Sequence, residues 1–208
     1  MSTGLFITFE GIDGCGKTTQ LEAVRNLLEH EGISCIVTRE PGGTAIGRCI
    51  RSILLAPEHA EMQNECELLL YFADRAQHVR EVILPALKQG SIVLCDRYAD
   101  ATLAYQGYGR GISLSMLTTQ NELATNGLWP HKTFVFDISI SAASLRLKET
   151  GKQVDRLEGS GEAFYDKVRR GYLTLARQNE QRIRVLNGEL SKEALTALVF
   201  AEIKQMLL

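Results

Sequence analysis

The sequence of 208 residues predicts an α/β fold in which helices flank a five-stranded parallel sheet. Short apolar runs rich in β-branched residues supply the predicted strands, at 5–9, 33–38, 92–95, 133–136 and 183–186. Segments with apolar residues at three- and four-residue steps supply the predicted helices, at 18–31, 61–87, 113–125, 142–149, 162–181 and 192–207. Strands that are apolar on both faces and alternate with helices are typical of a parallel sheet covered by helices.

Composition and charge limit the functions open to this chain. Hydrophobic residues make up 45% of it and charged residues 23%, and the formal net charge is −2 with a pI of about 6.1. We therefore expect one domain, 1–208, without the broad basic surface that nucleic-acid polymers require. No apolar run approaches the roughly 20 residues that cross a bilayer, and the first residues lack the pattern of a signal peptide.

The cysteines at positions 15, 35, 49, 66 and 95 are odd in number and include no Cys-x-x-Cys pair. This spacing favours neither a disulfide framework nor a zinc site. Free thiols are typical of a reducing compartment, so we expect a cytoplasmic protein.

Residues 11–18 carry the most specific motif of the chain, a match to the phosphate-binding pattern G-x-x-x-x-G-K-[ST]. The motif lies between the first predicted strand and the first predicted helix, where backbone N–H groups and the helix N-terminus can surround phosphates. Lys17 is expected to reach the β- and γ-phosphates of a bound nucleotide, and the Thr18 hydroxyl to contact Mg²⁺. The predicted nucleotide-binding residues are Gly11, Ile12, Asp13, Gly14, Cys15, Gly16, Lys17, Thr18 and Thr19.

Two predicted strands end in an aspartate that could share this metal. Asp96 follows the run 92–95, and Asp137 follows the run 133–136. Strand-end aspartates alone do not decide which one serves, but a carboxylate beside the phosphate loop is the usual metal partner. We assign the metal to Thr18 and Asp96 and interpret Asp137 as a strand end or helix cap.

The motif alone leaves several classes of nucleotide-binding protein open. The Asn-Lys-x-Asp tetrapeptide that reads guanine in GTPase switches is absent, and 208 residues leave little room for a larger ATPase machine. Arginines predicted to lie in loops are frequent near Gly- and Pro-rich strand ends, at positions 39, 48, 51, 75, 97 and 110. Guanidinium groups bind phosphates bidentately, which favours a kinase with an anionic acceptor, although each arginine could instead be a surface residue.

Several blocks resemble the bacterial thymidylate kinase family, over nearly the whole chain. They are the phosphate loop at 9–19, Thr-Arg-Glu-Pro-Gly-Gly-Thr at 38–44, Asp-Arg-Tyr at 96–98, Ala-Tyr-Gln-Gly at 104–107, Asp-Arg-Leu-Glu at 155–158, and the aromatic and basic block 164–173. The 38–44 block and the Tyr-Gln pair are specific to this family among P-loop kinases. The resemblance implies a P-loop kinase fold, phosphorylation of dTMP to dTDP by ATP and Mg²⁺ in dTTP biosynthesis, and a homodimer.

The resemblance also implies roles around the transferring phosphoryl group. Arg97 is similar to the side chain that bridges the acceptor phosphate and this group. Arg39 and Arg51 resemble acceptor-site arginines, with Arg51 as the direct phosphate ligand. Asp13 resembles a carboxylate that orients Arg39 and the sugar. The Glu40–Pro41 bond is expected to be cis by resemblance, whereas trans is the default.

For the acceptor base, the resemblance implies that Phe72 stacks on thymine and that Arg75 and Gln106 read its polar edge. Phe72 and Arg75 are three residues apart on a predicted helix and share a face. A core aromatic beside a surface arginine is the alternative interpretation. Thr102 is expected to contact the base, and the ring of Tyr105 to exclude a ribose 2′-hydroxyl.

The polar segment at about 150–161 is either a flexible linker or a mobile lid. Cys15 stands where some family members carry a P-loop arginine, and members without that arginine supply the charge from the lid. We therefore assign a transition-state contact to Arg156, with Lys152 second; a surface salt bridge is the alternative for Arg156. The predicted catalytic residues are Lys17, Arg97, Arg156 and Asp13.

Two rival functions remain at this point. A kinase of the same fold could accept dUMP, dCMP or a purine monophosphate, and a nucleotide-binding regulator would show no turnover at all.

Overall fold

The computed structural model describes residues 4–149 and 161–207. In these residues five parallel strands form one sheet: β1 Phe6–Glu10, β2 Cys35–Arg39, β3 Ile92–Asp96, β4 Lys132–Asp137 and β5 Ile183–Asn187. Their order across the sheet is β2-β3-β1-β4-β5. The predicted parallel sheet is confirmed, and each predicted apolar run overlaps one strand.

Helices cover the sheet on both sides. They are α1 Lys17–His30, α2 Ala45–Leu55, α3 Asn64–His78, α4 Leu84–Lys88, α5 Ala99–Thr102, α6 Leu114–Thr125, α7 Ile140–Glu149, α8 Glu162–Gln178 and α9 Lys192–Met206. Two π-helical turns, Val79–Ile83 and Leu103–Gly109, continue α3 and α5. Within the described ranges, none of these helices has the length and apolar character needed to cross a membrane.

The central strand β1 separates two hydrophobic clusters. Phe6 packs in a cluster with Val79 and Ile83, whereas Ile7 and Phe9 belong to a larger cluster on the other face of the sheet. Successive side chains of a strand point to opposite faces, so a strand buried on both faces is mostly apolar rather than alternating. β1 fits this pattern, since its two buried polar residues are both hydrogen-bonded.

The helical boundaries differ from the prediction in one long segment. The segment 61–87, predicted as one helix, is divided into α3, the turn Val79–Ile83 and α4. Pro85 lies in the first turn of α4, where its missing N–H is tolerated. The π-helical turn before it changes the register of the backbone hydrogen bonds, which a periodicity count cannot detect.

Two helical segments, α2 and the pair formed by α5 with its π-helical turn, were not predicted. The sequence did contain a signal for α2. Its buried residues Gly47, Ile50 and Leu54 follow three- and four-residue steps, and Thr44 Oγ1 caps the helix by accepting from Gly47 N at 2.9 Å.

The carboxyl ends of β1, β2 and β3 lie side by side because these strands are adjacent and parallel. β1 leads into the phosphate loop, β2 into the 38–44 block, and β3 into Asp-Arg-Tyr at 96–98. Ligands of open α/β sheets bind outside this edge, so the fold brings the three blocks to one place.

Candidate active site

The phosphate loop joins β1 to α1. Gly14 has φ 80°, and a Cβ there would lie 2.5 Å from the Ala143 carbonyl oxygen, so the loop can take this path only with glycine. The helix begins at Lys17, which is 7% exposed and whose Nζ lies 3.5 Å from the Ile12 carbonyl and 3.6 Å from Asp13 Oδ1. A helix N-terminus with a lysine in its first turn is suited to phosphate.

Thr18 and Asp96, the predicted metal residues, are in contact. Thr18 Oγ1 donates to Asp96 Oδ2 at 2.7 Å, while Asp96 Oδ1 is buried and has no hydrogen-bond partner in the part of the chain that is described. A hydroxyl beside an unpaired carboxylate oxygen fits Mg²⁺, which takes one or two protein ligands and completes its shell with phosphate and water. Asp137, by contrast, forms a bidentate pair with Arg169, at 2.6 and 2.9 Å.

Arg97 directly follows the strand end at Asp96. Its φ of 69° lies in the left-handed region, which is uncommon for a residue with a side chain. Its Nη2 donates to Asp13 Oδ1 at 2.8 Å and to the Tyr105 hydroxyl at 2.9 Å, and its Nη1 donates to the Gly11 carbonyl at 3.0 Å. These contacts hold the guanidinium against the phosphate loop.

Asp13 forms ion pairs with both Lys17 and Arg97. Burial alone would raise the pKa of Asp13, but the charges of Arg97 and Lys17 lower it below its ordinary value. Tyr105 also donates to Asp13 Oδ2 at 3.2 Å. Asp13 is therefore ionised at neutral pH and acts as an anchor for these cations, so a role as a strong general base is unsuitable.

A cleft of about 280 Å³, here called the main cleft, opens between the phosphate loop, the 38–44 block and the segment 96–106. Most predicted catalytic, metal and substrate residues line it: Asp13, Lys17, Thr18, Arg39, Arg51, Arg75, Asp96, Arg97, Thr102, Tyr105 and Gln106. Burial, and then the like charge of Arg39, lowers the pKa of Arg51. Cations that repel each other in a cleft favour an anionic ligand.

Phe72, predicted to stack on a base, does not line the main cleft. It is 8% exposed and packs in the larger hydrophobic cluster. The aromatic residue of α3 that lines the cleft is its neighbour Tyr71. Residues at i and i+4 share a helix face as well as those at i and i+3, so the spacing to Arg75 allowed either aromatic residue, and packing decided between them.

Arg75 lies in the last turn of α3 and is 2% exposed, so it is not a loop or surface arginine. Nε donates to Glu40 at 2.7 Å, Nη1 to Thr102 at 2.9 Å and to Asn121 at 2.7 Å, and Nη2 to the Tyr98 carbonyl at 3.1 Å. Among the described residues, one of its five N–H groups is thus left for a ligand in the cleft.

Gln106, another predicted cleft residue, is also oriented by a buried hydrogen bond. Gln106 Nε2 donates to Glu67 at 2.9 Å, which fixes the amide orientation in the cleft. Glu67 also accepts from Arg110 Nη2 at 3.2 Å.

The prediction of arginines in loops is also wrong for Arg48 and Arg51, which lie in α2. Arg48 is exposed and lies outside the cleft.

The loop 40–43 rests on a buried acidic residue of α3. The Glu40–Pro41 bond is cis, and Asp74 Oδ1 accepts from Gly42 N at 2.9 Å. Asp74 Oδ2 is buried without a hydrogen-bond partner in the described chain. Burial, and then the charge of Glu40, raises the pKa of Asp74 to about 6. This loop directly follows Arg39 and brings Glu40 and Pro41 to the cleft, so the contact with Asp74 helps to shape the site.

Substitution Asp74→Asn is expected to make stability less dependent on pH. The folded-state pKa of Asp74 lies above its unfolded value near 3.9, so its stabilising contribution is complete below about pH 4 and is lost as pH rises through 6. The neutral amide of the variant avoids this loss. Between pH 4 and pH 8, the unfolding free energy of Asp74→Asn relative to that of wild type should therefore rise by ~2 kcal/mol. Chemical denaturation at both pH values measures the shift; Asp166→Asn, in the surface pair with Arg170, is the control. An equal shift in both variants would contradict the assignment.

Some residues relevant to the site were missed or cannot be placed. Arg156 and Lys152 lie outside the described residues, as does nearly all of the segment 150–161. Arg146 was not assigned a role, but its Nη2 donates to the Gly188 carbonyl at 3.0 Å and its Nη1 lies near Gly16. An arginine at the end of a helix gave no sequence signal for this position beside the phosphate loop.

A parallel sheet with a phosphate loop after its first strand, a hydrogen-bonded Thr–Asp pair and an arginine-rich cleft beside it defines a P-loop kinase. The family model described as thymidylate kinase matches residues 9–199. The chain belongs to the thymidylate kinase family.

Individual relatives agree with this assignment. A thymidylate kinase from an Exiguobacterium species is 48% identical over 193 residues, covering 93% of this chain and 91% of the relative. A thymidylate kinase from Syntrophotalea carbinolica is 50% identical over 194 residues, covering 90% of both. The crystal structure of thymidylate kinase from Ehrlichia chaffeensis superposes with a TM-score of 0.79 at 32% identity, covering 98% of this chain and 100% of that one.

Proposed function

We propose that this chain transfers the γ-phosphoryl group of ATP to the 5′-phosphate of dTMP, producing ADP and dTDP for dTTP synthesis. One observation carries the proposal: Lys17 of the phosphate loop and the guanidinium groups of Arg39, Arg51 and Arg97 line the same cleft. Two phosphate groups repel each other strongly at short range, by roughly 3 kcal/mol per pair of unit charges at 5 Å and an effective dielectric of 20. Fixed cations on both sides offset this repulsion.

The donor side is formed by the phosphate loop and α1. Backbone N–H groups at 11–19 and the Lys17 ammonium hold the β- and γ-phosphates, and Thr18 with Asp96 would hold Mg²⁺. When bound, the metal ion neutralises charge on the transferring group. Arg146, next to Gly16 at the mouth of this loop, is placed to stack its guanidinium on the adenine of ATP.

The acceptor side orients dTMP by its phosphate and its base. Arg51 and Arg39 bind the 5′-phosphate, and Arg97 contacts both this phosphate and the transferring group. Since the attacking phosphate oxygen is anionic at neutral pH, positioning and charge stabilisation supply the catalysis, and no strong base is required.

For the base we replace Phe72 with Tyr71, because Tyr71 lines the cleft. The ring of Tyr71 stacks on thymine, and Thr102 contacts the base. The N–H of Arg75 that has no acceptor among the described residues donates to a carbonyl oxygen of thymine, and Gln106 pairs with the polar edge of the base. Cytosine carries an amino group in place of a carbonyl, so its binding would leave buried donors facing each other.

The sugar is read near Asp13. Asp13 is near enough to Arg97 and Lys17 to align them, and Tyr105 packs its ring beside Arg97, with the guanidinium carbon 4.8 Å from the ring centroid. We propose that this ring excludes a ribose 2′-hydroxyl by steric contact, and that Asp13 accepts from the sugar 3′-hydroxyl.

The segment 150–161 is proposed as the lid of a single domain spanning 1–208, with Arg156 as its transition-state contact and Lys152 second. This proposal rests on the sequence resemblance. Arg156→Ala should lower kcat much more than it weakens dTMP binding; a change in binding alone would remove the assignment.

The test of the proposed function is ADP release measured with dTMP, dUMP, dCMP, dGMP and ribothymidine monophosphate as acceptors, with ATP and Mg²⁺ present. We expect kcat/KM for dTMP to exceed that for dCMP and the ribonucleotide by ~10²-fold or more. A better acceptor than dTMP would contradict the substrate assignment. Absence of acceptor-dependent ADP release would favour the nucleotide-binding regulator instead.

We also propose that two copies form a homodimer through α2, α3 and α6. Ile46 of α2, Leu69 of α3 and Leu123 of α6 are 53%, 61% and 78% exposed, which is unusual for large apolar side chains on adjacent helices. Light scattering should give twice the chain mass of 23.1 kDa. A monomer at micromolar concentration would contradict this proposal.

A cytoplasmic location is proposed from the free state of all five cysteines, each of which lies in the described residues. Fractionation of the source cells would test it, and recovery of the protein outside the cytoplasm would contradict it.

A further inference from the structure

Glu10, the last residue of β1, is fully buried and lies outside the main cleft. Across residues 4–149 and 161–207, no cation comes within salt-bridge distance of its carboxylate. The carboxylate instead accepts two hydrogen bonds: the Tyr98 backbone N–H donates to Oε1 at 2.7 Å, and the Tyr172 hydroxyl donates to Oε2 at 2.7 Å. A buried carboxylate without a counter-ion is costly, so its presence needs a reason.

Both of these donors lead to Arg97. The Tyr98 N–H belongs to the peptide bond that directly follows Arg97. Arg97 has a left-handed φ of 69°, and a residue with a side chain keeps this conformation only when neighbouring groups stabilise it. The Tyr172 oxygen, in turn, accepts from Arg97 Nη1 at 3.3 Å. The Glu10 carboxylate thus contacts the backbone directly after Arg97. Through the Tyr172 hydroxyl it also contacts the Arg97 guanidinium.

We propose that Glu10 is a positioning residue that fixes the conformation of Arg97 from behind the main cleft, through Tyr98 N and the Tyr172 hydroxyl. This inference rests on the proposed function, in which Arg97 contacts the acceptor phosphate and the transferring group. The role of Glu10 is indirect, since its side chain touches neither.

In the observed arrangement both oxygens accept, as they do in an ionised carboxylate. A glutamine has one acceptor oxygen, so its NH₂ group either faces the Tyr98 N–H as a second donor or donates to the Tyr172 oxygen, with the hydroxyl turned away. An amide of nearly the same shape therefore breaks one of the two contacts or reverses it, and a reversed contact adds a second donor beside Arg97 Nη1 at the Tyr172 oxygen. Burial, and then the charge of Asp100, raises the pKa of Glu10 to about 8, so comparisons belong at pH 9, where the wild-type carboxylate is ionised.

The test is Glu10→Gln, studied by crystallography and by steady-state kinetics at pH 9. We expect Arg97 to leave the left-handed region or to lose its contact with Tyr172 in the crystal structure. We expect kcat to fall ~10²-fold, as for a reacting group displaced by about 1 Å, and KM for dTMP to rise, while KM for ATP changes less than ~twofold. Partial unfolding would instead lower kcat and leave both KM values unchanged.

Tyr172→Phe provides a second variant that removes one hydroxyl and keeps the packing of the ring. It should lower kcat ~10-fold, and the double variant should be no slower than Glu10→Gln alone, because both changes act on one chain of contacts. If the fold-losses in kcat of the two single variants multiply in the double variant, the inference is overturned. If Glu10→Gln does not fold, an unchanged kcat in Tyr172→Phe would overturn it as well.

Asp137→Asn is the matched control, since Asp137 also ends a central strand and accepts two hydrogen bonds, from Arg169, but has no contact with Arg97. Its kcat should stay within ~twofold of wild type. A wild-type protein without dTMP-dependent ADP release would contradict the proposed function. The crystal structure of Glu10→Gln would then still test the positioning role of Glu10. An unchanged Arg97 conformation in that structure overturns the inference, whatever the activity.

Discussion

Arg97→Ala is expected to lower kcat ~10³-fold and to raise KM for dTMP ~10-fold, with little change in the binding of ATP. Arginines that stabilise a transferring phosphoryl group contribute 10³–10⁵ in rate in related enzymes. Arg97 is held in the cleft by contacts with Asp13, Gly11 and Tyr105, so it is already oriented before substrates bind. Loss of such a preorganised charge affects the transition state more than the ground state.

Steady-state kinetics with each substrate varied in turn measures this expectation. Arg48→Ala is the control, because Arg48 is an exposed arginine of α2 outside the cleft, and its kcat should be within ~twofold of wild type. Arg97→Lys should recover only part of the rate, since an ammonium lacks the planar fork that contacts two oxygens. More than a tenth of wild-type kcat in Arg97→Ala would show that Arg97 is not the bridging group.

Lys17→Ala should lower kcat by ~10²–10³-fold, which corresponds to ~3–4 kcal/mol of transition-state stabilisation. Lys17 is 7% exposed, and its ammonium lies 3.6 Å from Asp13 Oδ1, so it acts from a site where water screens charge weakly. The backbone N–H groups of the phosphate loop remain in the variant. ATP binding should therefore weaken much less than kcat falls.

Single-turnover kinetics together with ATP titration separates these two effects. Lys88→Ala, an exposed lysine at the end of α4, serves as the control and should behave as wild type. Normal turnover in Lys17→Ala would dismiss the role of the phosphate loop. A loss confined to ATP affinity would mean that Lys17 binds the ground state and contributes nothing specific to the transition state.

The local parts of the site were predictable from the sequence because each is encoded within a short segment. The phosphate loop needs glycines and a Lys-Thr pair between a strand and a helix, and that spacing is visible in residues 11–18. The pairing of Thr18 with Asp96 followed from one further rule, that adjacent parallel strands end at the same edge. Neither required knowledge of side-chain packing.

Long-range packing decided what the sequence left ambiguous. Tyr71 and Phe72 are adjacent aromatic residues about 100° apart on α3, and both are compatible with the position of Arg75. The face of α3 that enters the core depends on its packing against α2 and α6, which are separate segments of the chain. The π-helical turn Leu103–Gly109, which presents Tyr105 and Gln106, likewise interrupts the periodicity on which a helix prediction depends.

The sequence by itself determined the parallel sheet, the phosphate loop and the likeness to a kinase family, because these depend on periodicity and on residues close together in the chain. Only the tertiary structure decided that Tyr71 lines the cleft, that Arg75 is buried, and that Glu10 connects to Arg97 through Tyr172. Those contacts join residues up to 162 positions apart, and which distant side chains meet is set by the packing of helices on the sheet.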